Sequence, residues 1–194
     1  MAVSREFQPF EGGEGRVIAV FDRASAAVAR ELLPSDPESA RALLRSGIRV
    51  PEHLGEGRHP ADVVAERFVL LGDAELALGD VDAAEAAWRR ARDVDGALAA
   101  TGHVVDARDG WVGLAHLRLG EHVDADRVWA ALEARAAALE ASADRVDYFA
   151  TSLPELLLFP VDTAERRASE AAVLRELAAQ GRHEADARAQ EALA

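Results

Sequence analysis

The chain has 194 residues, with 22 Lys and Arg against 35 Asp and Glu and a formal net charge of −13. A nucleic acid would meet net repulsion instead of counterion release, so it is excluded as the expected partner. Cysteine is absent, which removes disulfides and thiolate metal sites, and the length fits one domain at about 100–200 residues each.

The opening MAVSREFQPFEGGEG lacks the apolar core of a signal peptide, and apolar residues nowhere run to the length of a membrane span. The expectation is a cytoplasmic protein with no membrane partner. Alanine, Leu, Glu and Arg dominate while aromatic residues are few. These are helix formers with many small side chains, and they predict an all-α fold with closely packed helices.

In chain order, Arg16 to Leu33 reads as a first helix ended by Pro34. SDPESARALLRSG follows as the second, with Asp36 as its cap and Pro37 at the first helical position, where a missing N–H costs nothing. From Asp62, the segment DVVAERFVLLGDAELALGD places Val64, Phe68, Leu71, Glu75 and Leu78 near helical spacing, which predicts a helix over Asp62–Leu78. Gly79-Asp80 breaks it, and DAAEAAWRRARDV begins another helix with Asp82 as the expected cap. The two form a helical hairpin.

The pattern returns one offset later. Gly79 aligns with Gly120, Ala84 with Ala125, Trp88 with Trp129 and Gly72 with Gly113, which indicates an internal repeat. Phe68, Leu71-Gly72, Gly79, Ala84, Trp88 and Ala91 fit the tetratricopeptide pattern: Gly72 and Ala84 let two helices touch, and Phe68 and Trp88 fill the space between hairpins. The tryptophans are therefore expected in the core. Pro37–Gly47 is a weaker copy of the second helix, with Ala40 and Leu44 in the small and large positions. AAVLRELAAQGRHEADARAQEALA offers a fourth, degenerate hairpin with its turn near Gly181 and Gln190 where tryptophan is expected.

The predicted architecture is one tetratricopeptide-like solenoid over residues 1–194, of about four helical hairpins. Its turns at Ser35, Gly79, Gly120 and Gly181 are spaced more widely than the roughly 34 residues of a standard unit, so insertions separate the repeats. The largest includes SADRVDYFATSLPELLLFPVD, whose Tyr148, Phe149, Leu153, Leu156, Leu158 and Phe159 are too apolar for an idle loop. The segment 142–162 either docks on a partner or, as the favoured expectation, folds back on the array, where it competes with an outside ligand for the concave groove.

The chemistry is sparse. GEGR occurs twice, at Gly13–Arg16 and Gly55–Arg58. Neither copy has the lysine and hydroxyl residue of a P-loop, and Glu11 and Glu14 already place negative charge at a helix start. The two copies read instead as equivalent lead-in turns of successive hairpins, which puts Glu14, Arg16, Glu56 and Arg58 on one loop edge. His53 with His59, and His116 with His122, lack the i, i+4 spacing of a helical metal site. No catalytic order of Ser, His and Asp stands out. The expectation is therefore a non-enzyme with no metal and no cofactor.

Solenoids of this kind bind along the concave face formed by their first helices. In this register that face comprises Asp22, Ser25, Glu66, Val69, Asp73, Leu76, Leu114 and Leu117, acidic at one end and apolar at the other. Such a strip suits a protein or peptide partner, and arrays with exposed ends also pair as homodimers.

Three segments add a resemblance: REFQPFEGGEGRV, VPEHLGEGRHP and DYFATSLPELLLF. Over roughly Arg5 to Leu193 the chain resembles the tetratricopeptide-containing C-terminal region of large bacterial proteins whose N-terminal β-sandwich domain is uncharacterised and loosely linked to glycoside hydrolases. It departs from them at Phe10, where Trp is expected, and at His53, where Asn is expected. The resemblance implies a helical accessory module of a carbohydrate-active system, with a sugar or a β-sandwich domain as the alternative partner.

Overall fold

The computed structural model describes residues 15–55, 64–93, 104–142 and 163–191. Every regular element among them is helical: α1 (Arg16–Leu32), α2 (Pro37–Ser46), a short 3-10 turn (Glu52–Leu54), α3 (Ala65–Ala77), α4 (Val81–Arg92), α5 (Asp109–Arg118), α6 (His122–Ala141) and α7 (Thr163–Glu191). The all-α expectation holds. The chain packs as two compact units, one of Met1–His103 with Trp111–Ala125, the other of Val104–Gly110 with Asp126–Ala194.

In the first unit, local chemistry sets the helix ends. The Asp36 carboxylate accepts from the Ser39 amide at 3.1 Å and Pro37 opens α2. The Ser39 side chain and amide together hold Asp36 below the usual carboxylate range. At the end of α3, Gly79 takes a left-handed φ of 84°. The Gly79 amide donates to the Leu76 carbonyl and the Asp80 amide to the Glu75 carbonyl, both at 2.9 Å, which is the Schellman pairing that satisfies the last carbonyls of a helix. The same turn recurs at Gly120, φ 75°, where Gly120 donates to Leu117 and Glu121 to His116.

The cap of α4 is Asp80, not Asp82. The left-handed turn occupies Gly79 alone, so Asp80 becomes the extended flanking residue, and its carboxylate accepts from the Ala83 amide at 3.0 Å. Asp82 falls inside the first turn, where its charge still suits the helix dipole. The helix predicted from Asp62 begins at Ala65 among the described residues.

The core of this unit is rich in alanine. Ala26, Ala29, Ala40, Ala65, Ala87, Ala91 and Ala115 are buried beside Leu44, Phe68, Val69, Leu70, Leu71 and Val112. Small side chains bring helix axes close, and the few large ones fill what remains. Trp88 is buried as expected, its ring lying over Gly72 so closely that a Cβ there would overlap it. Phe68 is covered on one face by the Arg90 guanidinium, 4.3 Å from the ring centroid.

In the second unit α6 and α7 run antiparallel: Trp129 lies on Gly181, Glu133 pairs with Arg182, and Glu140 pairs with Arg175 at 2.6 Å. Trp129, Leu132, Ala136 and Leu139 from α6 and Ala171, Leu174 and Ala178 from α7 are buried. The fourth hairpin expected from Gly181 does not form, because α7 is continuous from Thr163 to Glu191. Gly181 is a packing residue instead. A Cβ there would strike the Trp129 ring, so glycine marks a close approach within a helix.

Two physical effects oppose each other at that position. Helix propensity alone favours Gly181→Ala by about 1 kcal/mol, whereas overpacking against Trp129 costs about 1–3 kcal/mol. The expected outcome is net destabilisation, seen as a lower urea midpoint at unchanged slope; a gain in stability would mean that the ring does not occupy the space above Gly181.

Candidate functional site

The proposed binding face separates into core and surface. Val69 and Leu117 are 1% and 3% exposed and belong to the interior, because each helix turns one of its register positions inward. Ser25 is buried as well, donating to the Phe21 carbonyl at 2.7 Å. Asp22, Glu66, Asp73 and Leu114 are half-buried, and Leu76 stays 45% exposed. Of the loop edge, Arg16 is exposed at the start of α1, while Glu14, Glu56 and Arg58 lie outside the described residues. Gly15 and Gly55, one from each GEGR copy, are both left-handed. His59 and the stretch 143–162, with its Tyr148 and Leu158, also lie outside the described residues.

The acidic end is neutralised from within. Arg67 on α3 is 2% exposed. Its Nη2 donates to Asp22 Oδ1 and to Ser25 Oγ, both at 2.8 Å, and its Nη1 donates to the Leu44 carbonyl at 3.0 Å. The last is one of the orphan carbonyls at the end of α2, where the helix dipole favours a cation. Gly47 leaves room for this, since a Cβ there would overlap the guanidinium.

Asp73 is clamped by Arg118, with Nε at 2.8 Å from Oδ1 and Nη2 at 3.1 Å from Oδ2, and it also accepts from Trp88 Nε1 at 3.2 Å. This fork geometry is the stronger form of a charge-assisted bond. Glu75, only 1% exposed, accepts from Arg45 at 2.6 Å and Arg41 at 3.5 Å. Periodicity had placed Glu75 on the apolar stripe, and it is buried there only because α2 supplies two arginines.

Glu66 pairs with Arg30 at 3.2 Å, and the same guanidinium lies 5.7 Å from the Trp111 ring centroid. Burial raises the Glu66 carboxyl above its usual range, while the charges of Arg30 and Arg67 pull it back.

A second cluster forms where α5 ends. His116 Nδ1 lies 2.7 Å from Glu121 Oε2, Arg92 donates to Glu121 Oε1 at 2.7 Å, and Asp124 stands close by on the first turn of α6. Burial works to raise the Glu121 carboxyl, but the bonds from His116 and Arg92 outweigh it, and the group sits below its usual range. Histidine spacing alone does not reveal this cluster, because its other members are carboxylates across the turn.

No protein-family model matches the chain, and no solved structure matches it.

Removing Arg67 takes its charge-assisted bonds from Asp22, Ser25 and the Leu44 carbonyl, so Arg67→Met is expected to cost about 3 kcal/mol in chemical denaturation. Adding Asp22→Asn recovers part of that loss, since the uncompensated charge is gone. Glu66 gives a pH signature. Its raised value means that the folded protein holds this proton more tightly than the unfolded chain does. Stability is therefore lost as pH rises from the ordinary glutamate value through the raised one. As pH rises from about 4 to about 7, the melting temperature of the wild type should drop relative to that of Glu66→Gln.

Proposed function

We propose that the protein is a tetratricopeptide-like interaction scaffold that binds a protein or peptide segment along the face formed by α1, α3 and α5. The observation that supports this reading is the way Arg30 on α1 engages both Glu66 on α3 and Trp111 on α5, with Arg118 on α5 reaching back to Asp73 on α3. These bonds tie the first helices side by side, which is the arrangement a concave ligand face needs. The matching Schellman turns at Gly79 and Gly120 are consistent with repeating hairpins. In this reading the protein works in the cytoplasm and performs no catalytic step of its own.

The available surface combines exposed Leu76, half-buried Leu114 and Trp111, and the outer edges of Asp22, Glu66 and Asp73. A segment with apolar anchors and flanking cationic residues fits it best, because the anchors meet Leu76, Leu114 and Trp111 and the chain carries net negative charge. Selection of a displayed random-peptide library against the purified protein tests this directly. Enriched peptides should be apolar and basic, and Leu76→Asp should weaken them at least ~10-fold. Val173→Asp, at an exposed position of α7, should leave binding unchanged. Failure to enrich any peptide, or equal binding by Leu76→Asp, would remove the reading.

A further inference from the structure

The His116 cluster carries chemistry that the scaffold does not use. His116 lies in the last turn of α5, Glu121 follows the left-handed Gly120, and Asp124 lies in the first turn of α6. One ligand atom from each of the three residues can be chosen so that all lie within 4.8 Å of one another. We propose that His116 Nδ1, Glu121 Oε2 and an Asp124 carboxylate oxygen form a binding site for a divalent transition-metal ion of the zinc class.

The backbone preorganises the set. The Glu121 amide donates to the His116 carbonyl at 2.9 Å, and the Asp124 and Ala125 amides donate to the Glu121 carbonyl at 3.2 and 3.0 Å. All three residues are thereby fixed around one Schellman turn. The His116 side chain is largely buried against the helix while Glu121 keeps about a third of its surface open, so the donors are held and an ion has a way in.

The equivalent turn at Gly79 shows that the set is not a by-product of turn geometry. There the corresponding residues are Glu75, Asp80 and Ala83; Glu75 is occupied by Arg41 and Arg45, and Asp80 caps the Ala83 amide. At Gly120 the residue in the capping place is glutamate, and its carboxylate turns back to His116 and Arg92 instead. Arg92 holds Oε1, which leaves Oε2 directed at the imidazole and supplies the outer bond that usually orients a ligating carboxylate.

One imidazole and two carboxylates suit a borderline ion with three protein ligands and open positions for water. Magnesium, which prefers an all-oxygen octahedron and sheds water reluctantly, fits poorly. Bound zinc would bridge His116 and Glu121 where their side chains now lie 2.7 Å apart and would clip the end of α5 to the start of α6.

Calorimetric titration of the untagged protein with zinc chloride tests the proposal, with magnesium chloride as the comparison. The expected result is one zinc per chain and no magnesium uptake. Asp124→Asn and His116→Ala should each weaken zinc at least ~10-fold, with circular dichroism confirming that each variant is helical. His122→Ala, which removes the exposed neighbouring histidine, should bind as the wild type does. In the wild type, zinc should shift the Nδ1 resonance of His116 in a nitrogen-detected histidine spectrum, a readout that needs no variant to fold. Absence of zinc binding, binding that survives His116→Ala, or a shift confined to other histidines would overturn the proposal.

Discussion

The buried guanidinium of Arg67 is the constraint on which the rest of the first unit depends. It joins three helices at one point: its own α3, the Asp22 and Ser25 side chains of α1, and the Leu44 carbonyl at the end of α2. An ion taken out of water is costly unless its donors are used. Here geometry makes the helix positions interdependent, because moving α1 or α2 by an ångström would strand a charge. An alanine-rich core has little interlocking shape of its own, so directional bonds do what large side chains do in other folds. Asp73 and Glu75, on the same helix, repeat the device toward α5 and α2.

The arrangement explains why α3 has so many buried polar groups for a central helix. Arg67 reaches α1 and the end of α2, Asp73 reaches α5 and Glu75 reaches α2, and no two compete for one partner group. Packing that relies on alanine and glycine alone leaves helices free to slide along each other. Fixed ion pairs in a low-dielectric setting remove that freedom at some cost in net stability.

Local signals were legible in the sequence and long-range ones were not. The Asp36-Pro37 start, the Gly79 and Gly120 turns, and the burial of Trp88 and Trp129 follow from residue type and spacing, since capping, left-handed φ and aromatic area are properties of a few adjacent residues. The sequence does not separate Asp80 from Asp82 as the α4 cap, because the two are chemically alike and only the length of the left-handed turn decides between them. Gly181 was read as a turn because glycine has two uses, positive φ and close approach, and the second depends on a tryptophan 52 positions away, at 129. The acids of the predicted face could be placed on their helices, but their arginines lie 36 to 45 residues distant. Periodicity within a helix carries no information about such partners. Val69 and Leu117 show the same limit in reverse, as register positions that the helix rotation turns inward.

Charge stoichiometry then bears on what such a surface can meet. With 35 acids and 22 Lys and Arg, one-to-one pairing cannot neutralise the acids, and Glu75 takes two arginines for itself. The arginines that set the helices, Arg67, Arg118, Arg41 and Arg45, are committed to acids inside or at the edge of the fold. The surplus negative charge must therefore reside on carboxylates that lack a cation of their own, and these dominate the field outside the protein. In the proposed reading, a basic partner at the α1, α3 and α5 face is attracted and an acidic one repelled, whatever the local pairing at Asp22 or Asp73. Internal pairing sets the fold, and the surplus sets the sign of the field outside it.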